Sequence, residues 1–451
     1  VLGYCGKITQ SELENVGDEY NKNELIGKTG IQYVFEKYLR GKNGKRQIDM
    51  DVNGNITGEY ITETPIVGSD VELTIDAKVQ SVAEQALKAD IEKIANGGYA
   101  ETSDAKAGAV VVMNTKTGEI LALASYPDYE PQLFVNGIST EKYNEYTENQ
   151  ALYNRAISGT YAPGSTFKMI TAIAGLETNS ITTTEKINCT GVYPYAHKPV
   201  CWYYTSYKRG HGALDVSQAI QHSCNYFFYE VGNRIGIDTL SKYSNYFGLG
   251  RKTGIELPSE SSGNIASKEK AENENREWYL GETLSASIGQ SYNNVTPLQM
   301  AKYISILVNG GHQIDVTIVK SIINSDKSEV SREEINEHVN NVLGIKDENI
   351  EEDTFEETNI KAVLEGMKNV TTESGGTAYS IFKDSAIQVG GKTGSAQAGN
   401  KTHAWFVGFA PFDDPEIAVV AIIENGAHGA YAAQVAKDIF DSYFFEDEVI
   451  E

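Results

Sequence analysis

Ala404-Trp-Phe-Val-Gly-Phe-Ala410 and Glu416-Ile-Ala-Val-Val-Ala-Ile-Ile423 stand on either side of Pro411-Phe-Asp-Asp-Pro415. Two runs rich in β-branched and aromatic residues, joined by a proline-bounded acidic turn, read as a hairpin of buried strands. Ala107-Gly-Ala-Val-Val-Val-Met113 and Glu119-Ile-Leu-Ala-Leu-Ala-Ser125, joined by Asn114-Thr-Lys-Thr-Gly118, repeat the pattern far upstream. Hairpins are antiparallel by construction. A short strand is expected at Ile387–Ser395, and another at Val71–Ile75 with Asp76 as the N-cap of the helix that follows. That helix places Val79, Val82, Ala83, Ala86, Leu87, Ile91 and Ile94 at helical spacing. Further helices are expected around Ile31–Leu39, from Ser165 onward, across Val216–Ile235 and over Ala432–Phe445. Strands before and after a helical middle give an α+β class, an antiparallel sheet flanked by helices.

With 451 residues the chain can bury a sizeable core, and 40% hydrophobic against 22% charged residues reads as globular. A net charge of -24 argues against a nucleic-acid surface, which needs basic patches. No apolar run reaches the ~18 residues of a membrane helix. Val1-Leu-Gly-Tyr-Cys5 reads as the middle of a strand, so any export or anchoring segment is expected outside this stretch. Residues 1–66 read as an elongated, loop-rich module and 67–451 as the main domain. The acidic stretch from about 313 to 360 reads as a solvated excursion with a helix or two.

Chemistry enters at Ala162-Pro-Gly-Ser-Thr-Phe-Lys-Met-Ile-Thr-Ala-Ile-Ala-Gly-Leu176. A Pro-Gly turn feeds a helix too apolar for the surface, and Ser165 and Lys168, three apart, share one face of it. A hydroxyl beside a desolvated amine is a nucleophile beside a base. The tetrapeptide pattern alone is weak, since Ser-x-x-Lys recurs at Ser103, Ser139, Ser267 and Ser380. Only the copy at Ser165 has the Pro-Gly lead and the apolar run. Two further motifs follow in order: Ser223-Cys-Asn225, on what reads as a helical stretch, and Lys392-Thr-Gly394, on a strand beside the hairpin. Lys-Thr-Gly also occurs at Lys28, Lys116 and Lys252, in loops and a turn. There is no Gly-x-Ser-x-Gly elbow and no His-Glu-x-x-His, and the phosphate-loop reading of Gly391-Lys-Thr fails because Ala386 stands where its first glycine is needed.

Ser-x-x-Lys, Ser-x-Asn and Lys-Thr-Gly in this order resemble the shared set of serine β-lactamases and penicillin-binding proteins. The chain is similar to class B penicillin-binding proteins beyond these motifs. Gly3-Tyr-Cys-Gly-Lys-Ile8, Asn23-Glu-Leu-Ile-Gly-Lys-Thr-Gly-Ile31, Leu73-Thr-Ile-Asp76, Gly248-Leu-Gly250, Thr253-Gly-Ile-Glu-Leu-Pro258 and Thr296-Pro-Leu-Gln-Met300 match its pattern. Tyr129-Glu-Pro-Gln-Leu-Phe-Val-Asn-Gly-Ile-Ser139 is similar to the elongation-type subgroup, penicillin-binding protein 2.

The resemblance implies a five-stranded sheet and a partial pedestal of the dimerisation type over residues 1–66. It implies peptidoglycan D,D-transpeptidation at the outer face of the membrane, with β-lactams as inhibitors and a membrane-bound glycosyltransferase as partner. Ser165 is then the acylated nucleophile and Lys168 its base, with Ser223 as proton relay and Asn225 holding Lys168 and the substrate amide. Lys392 and Thr393 bind the terminal carboxylate of a D-Ala-D-Ala stem peptide. Gly394 keeps the strand edge open, and the N–H groups of Ser165 and Ser395 face the oxyanion. A D,D-carboxypeptidase or β-lactamase, or a receptor that acylates without turnover, would carry the same motifs.

No cofactor is needed for this chemistry. Cys189, Cys201, His211 and Cys224 nevertheless follow one another with 11, 9 and 12 residues between them. A Cys3His structural zinc site, a Cys189–Cys201 disulfide with Cys224 as a small buried residue, and unconnected thiols are all compatible with that spacing. His197 and His222 are reserve ligands for the metal.

Overall fold

The structure is a computed structural model that describes residues 1–16, 20–345 and 354–445. Its centre is a five-stranded antiparallel sheet. In chain order the strands are Gly108–Asn114 (β1), Ile120–Tyr126 (β2), Gly390–Ala398 (β3), Lys401–Ala410 (β4) and Ile417–Ile423 (β5), and in space they run β3-β4-β5-β1-β2. The expected hairpins are β1–β2 and β4–β5. Every residue of β5 is buried because helices cover both faces, which is why its sequence is continuously apolar and not alternating. β3 runs longer than the strand expected at Ile387–Ser395 and forms one edge of the sheet, with an unbonded side.

Ala77–Ala95 (α1) and Gly429–Phe445 (α8) pack on one another and on one face of the sheet. Asp76 caps α1, its side chain accepting from the N–H groups of Lys78 and Val79. The other face carries Lys168–Glu177 (α2), Trp202–Tyr207 (α3), Val216–Gln221 (α4), Asn225–Tyr246 (α5), Pro297–Val308 (α6) and Glu357–Thr372 (α7) with their loops. α6 is buried from Pro297 to Leu307, and Thr296 and Gln299 close a capping box at its start.

The helix expected at Ile31–Leu39 is two short helices, Gly30–Val34 and Glu36–Leu39, broken at Phe35. Ile31, Val34, Phe35 and Tyr38 belong to the main core, so the N-terminal residues are packed onto the rest. The acidic stretch holds a strand, Val319–Ile323, and a helix, Arg332–Leu343; its residues 346–353 lie outside the described ones. Among the described residues no helix is long and apolar enough to cross a membrane.

One close approach ties α8 to the edge strand. A Cβ on Gly429 would lie 2.4 Å from the Gly394 oxygen, 2.8 Å from its nitrogen and 2.9 Å from the Trp405 oxygen. All three are backbone atoms of paired strands, so none can yield cheaply. Gly429→Ala is expected to cost about 2–3 kcal/mol, read as a fall of several degrees in melting temperature, with slower acylation because β3 must move. An unchanged melting curve would show that α8 absorbs the methyl group.

Candidate active site

The Pro163-Gly164 pair sets a single 3-10 turn, Gly164–Phe167, before α2 begins. Gly164 has φ +55 and donates its N–H to the Gly289 oxygen at 2.8 Å. A Cβ on Gly164 would meet the Ala396 side chain at 3.3 Å, so the turn lies flat on β3. Trp405 Nε1 donates to the Ala162 oxygen at 3.0 Å and the Thr166 hydroxyl to the Pro163 oxygen at 2.7 Å. Ser165 is therefore held from the strand, from the preceding loop and from α2 itself. Its side chain is half-buried, and among the described residues its hydroxyl has no hydrogen-bond partner.

Lys168 is fully buried, as is the rest of α2 through Leu176. The expectation of a core helix is met. Its ammonium donates to the Ser223 carbonyl at 2.9 Å, the Ser223 hydroxyl at 3.1 Å and Asn225 Oδ1 at 2.7 Å. Burial pulls Lys168 down to about 8, and the neighbouring Cys201 and Cys224 work against that shift. Lys392 is also fully buried and lies well below its ordinary range because of burial and then the charge of Lys168.

The second motif corrects the sequence reading. Ser223 does not lie within a helix. α4 ends at Gln221, α5 starts at Asn225, and Ser223 occupies the break with φ +52, a left-handed conformation uncommon for a residue with a Cβ. The break aims the Ser223 carbonyl and hydroxyl, together with the first side chain of α5, at one ammonium.

The third motif lies on β3. Lys392 Nζ donates to the Thr393 oxygen at 3.0 Å, and the Thr393 hydroxyl is 2.6 Å from that of Thr377. A Cβ on Gly394 would meet Thr166 at 3.0 Å and the Pro163 oxygen at 3.1 Å, so only glycine lets the Ser165 turn come this close. The Ser395 hydroxyl accepts from the Gly429 N–H at 3.1 Å. Thr377 was missed in the sequence, where the only signal was the small-residue loop Ser374-Gly-Gly-Thr377.

Family models match residues 108–441, described as the penicillin binding protein transpeptidase domain, and residues 1–73, described as the penicillin-binding protein dimerisation domain. The chain belongs to the penicillin-binding protein transpeptidase family. The chain is 34% identical to the peptidoglycan D,D-transpeptidase MrdA of Acinetobacter baumannii, over 98% of this chain and 64% of that protein. To MrdA of Escherichia coli K12 it is 31% identical over 99% of this chain and 70% of that one. The chain thus spans about two thirds of the length of the curated relatives it matches. Penicillin-binding protein 2 of Pseudomonas aeruginosa, solved with WCK 5153, superposes with TM-score 0.79 at 33% identity, over 98% of this chain and 89% of that one. That of Helicobacter pylori, in complex with MreC, gives TM-score 0.80 at 27% identity, over 100% and 77%.

Beside the second motif, this penicillin-binding protein gathers Cys189, Cys201, His211 and Cys224, whose ligand atoms all lie within 4.8 Å of one another. The four cysteines of the chain are free thiols, so the Cys189–Cys201 disulfide is not formed. His211 Nδ1 stands 3.5 Å from Cys201 Sγ and 3.7 Å from Cys189 Sγ. A tetrahedral zinc ion with ordinary bond lengths would separate nitrogen and sulfur by about 3.6 Å. Those two separations match such an ion, and three thiols with one imidazole are an ordinary zinc donor set. Hydrogen bonds from Cys189 and Cys224 hold the Cys201 thiol far below its ordinary range, and burial pushes Cys224 up. His197 and His222 are not in the group.

Proposed function

We propose that the chain cross-links peptidoglycan as a serine D,D-transpeptidase, with Ser165 as nucleophile and Lys168 as its base. The observation that carries this is the Lys168 ammonium, buried and held by Ser223 and Asn225 one helical turn from a hydroxyl left free to react. With its pKa near 8, Lys168 is neutral in about one molecule in ten at pH 7, against roughly one in several thousand for a free lysine.

Neutral Lys168 takes the Ser165 proton as Oγ attacks the carbonyl between the two D-alanines. The N–H groups of Ser165 and Ser395 receive the oxyanion, Ser223 passes the proton to the departing D-Ala amine, and an ester on Ser165 remains. The amine of a second stem peptide then attacks that ester and restores the serine. The donor peptide adds as a strand along the free side of β3, its terminal carboxylate against Lys392 and Thr393. Arrival of that anion favours the charged form of Lys392, which the empty site disfavours. A β-lactam mimics the D-Ala-D-Ala terminus and leaves an ester that no amine reaches.

The Cys3His group would hold a zinc ion. Four protein ligands leave no open position, so the ion would supply structure and no catalysis. Residues 1–66 serve as a pedestal and 67–451 as the transpeptidase domain, working at the extracytoplasmic face of the membrane with a membrane-bound glycosyltransferase. The likeness to a solved peptidoglycan synthase complex that coordinates polymerization and crosslinking supports that partnership.

Fluorescent penicillin tests the reading. A lasting adduct on the unsubstituted protein, absent in Ser165→Ala, together with cross-linking of lipid-linked peptidoglycan, is the expected result. Release of the adduct within seconds would identify a β-lactamase instead. A lasting adduct without cross-linking would leave only a receptor.

A further inference from the structure

Trp202 has no part in the chemistry assigned so far, yet its indole N–H reaches the centre of it. It opens the six-residue helix α3, directly after Cys201. Nε1 donates to the Ser223 carbonyl at 3.0 Å and to the His222 carbonyl at 3.2 Å. The Ser223 carbonyl is the oxygen that also accepts the Lys168 ammonium at 2.9 Å. One oxygen is therefore held by two donors, the base of the reaction and an indole from another element.

Ser223 sits at φ +52 with a Cβ, between α4 and α5. Its own N–H and that of Cys224 close the end of α4 on the Ile220 and Ala219 oxygens at 3.1 and 2.9 Å, which leaves the Ser223 carbonyl to Lys168 and Trp202. A tilt of the Ser223–Cys224 peptide about its Cα–Cα axis, resisted at its other end by the Cys224 N–H on the Ala219 oxygen, would carry the carbonyl off Nζ. Trp202 is 38% exposed and meets Tyr203 and His211 edge-on at ring-centre distances of 5.6 and 5.8 Å, so the test must separate its packing from its N–H.

We propose that Trp202 is a positioning residue for acyl transfer: its N–H fixes the Ser223 carbonyl on the Lys168 ammonium. The inference rests on the reading of Lys168 as the base. It assigns a task to the loop that carries Cys201, because that loop delivers the indole.

The test replaces Trp202 in the full chain with benzothienylalanine, which keeps the bicyclic shape and puts sulfur where the N–H was, alongside Trp202→Ala. Stopped-flow acylation by benzylpenicillin separates the dissociation constant of the first complex from the acylation rate constant. Melting temperature and metal content are measured on the same samples. The isostere is expected to lower the acylation rate constant by about 10- to 100-fold, with the dissociation constant, melting temperature and metal content unchanged, because the strand that binds the carboxylate is untouched. Acylation by the isostere at the unsubstituted rate overturns the proposal, whatever Trp202→Ala does. So does a loss shared equally by both constants and accompanied by a lower melting temperature, which marks a structural role only. If the unsubstituted protein forms no adduct, the reading of Ser165 and Lys168 falls first, and that outcome shows itself with Trp202 intact.

Discussion

Lys168→Met is expected to slow acylation by benzylpenicillin about 10³- to 10⁴-fold while the protein stays folded. Methionine keeps the length and apolar contacts of the lysine stem inside α2, where every neighbour is buried. What disappears is the proton acceptor next to Ser165. The pH dependence of stability checks the same residue by another route. Lys168 ionises near 8 in the folded chain and near 10.5 when unfolded. Below about pH 8 both states are protonated and the whole cost of burying the charge is present. Between about pH 8 and 10.5 the unfolded chain binds the extra proton, so stability rises with pH there and levels off above. The shift corresponds to roughly 3 kcal/mol. Lys168→Met should remove its share of that rise, leaving the share of Lys392, which is also buried and lowered. Its net stability at neutral pH changes less, since the variant strands Asn225 Oδ1 at about 1–3 kcal/mol, while the Ser223 carbonyl keeps the Trp202 N–H. A variant that acylates within tenfold of the unsubstituted rate, or one whose alkaline rise is undiminished, would remove Lys168 from its role.

Sheet and core helix were legible because their signals are local. Turns bounded by proline or glycine between β-branched runs name β1–β2 and β4–β5, and the apolar run after Ser165 names α2. The break at His222-Ser223-Cys224 was not legible. No glycine or proline punctuates it: the left-handed turn at Ser223 is closed by the N–H groups of Ser223 and Cys224 on Ile220 and Ala219, with Lys168 and Trp202, both distant in sequence, on its carbonyl. The sequence placed Ser165 and Lys168 together on one helical face. The resemblance implied that Asn225 holds Lys168; the Ser223 carbonyl as a further acceptor was not legible, because it depends on the break that aims it. Thr377 was hidden for the same reason: its contact with Thr393 exists only once α7 packs against β3. The four metal-ligand candidates were visible as a cluster, but spacing alone did not separate a disulfide from a metal site.

Stripping metal from the protein with a chelator is expected to lower its melting temperature by on the order of 10 °C and to slow acylation with it. The first effect follows from the donor set. Cys189, Cys201, His211 and Cys224 come from four separate stretches, and the first lies on Ile187–Cys189, a strand paired with Gly212–Leu214 next to His211. An ion bound only by the folded chain stabilises it by mass action, by about 4 kcal/mol when its free concentration is a thousand times the dissociation constant. The second effect follows from adjacency. Cys224 separates Ser223 from Asn225, and Cys201 precedes Trp202, so two of the four ligands are bonded neighbours of groups around the Lys168 ammonium. Loosening them frees the break that aims those groups. Cys201→Ser should reproduce both losses, whereas Cys5→Ser, in the N-terminal residues and outside the cluster, should leave metal content and acylation unchanged. Elemental analysis should find one zinc per chain in the native protein. A metal-free native protein with full activity, or a 189–201 disulfide found by mass mapping, would replace the ion with another explanation for three thiols gathered around one imidazole. Acylation that survives stripping while the melting temperature falls would leave the zinc site standing and cut its connection to Ser223.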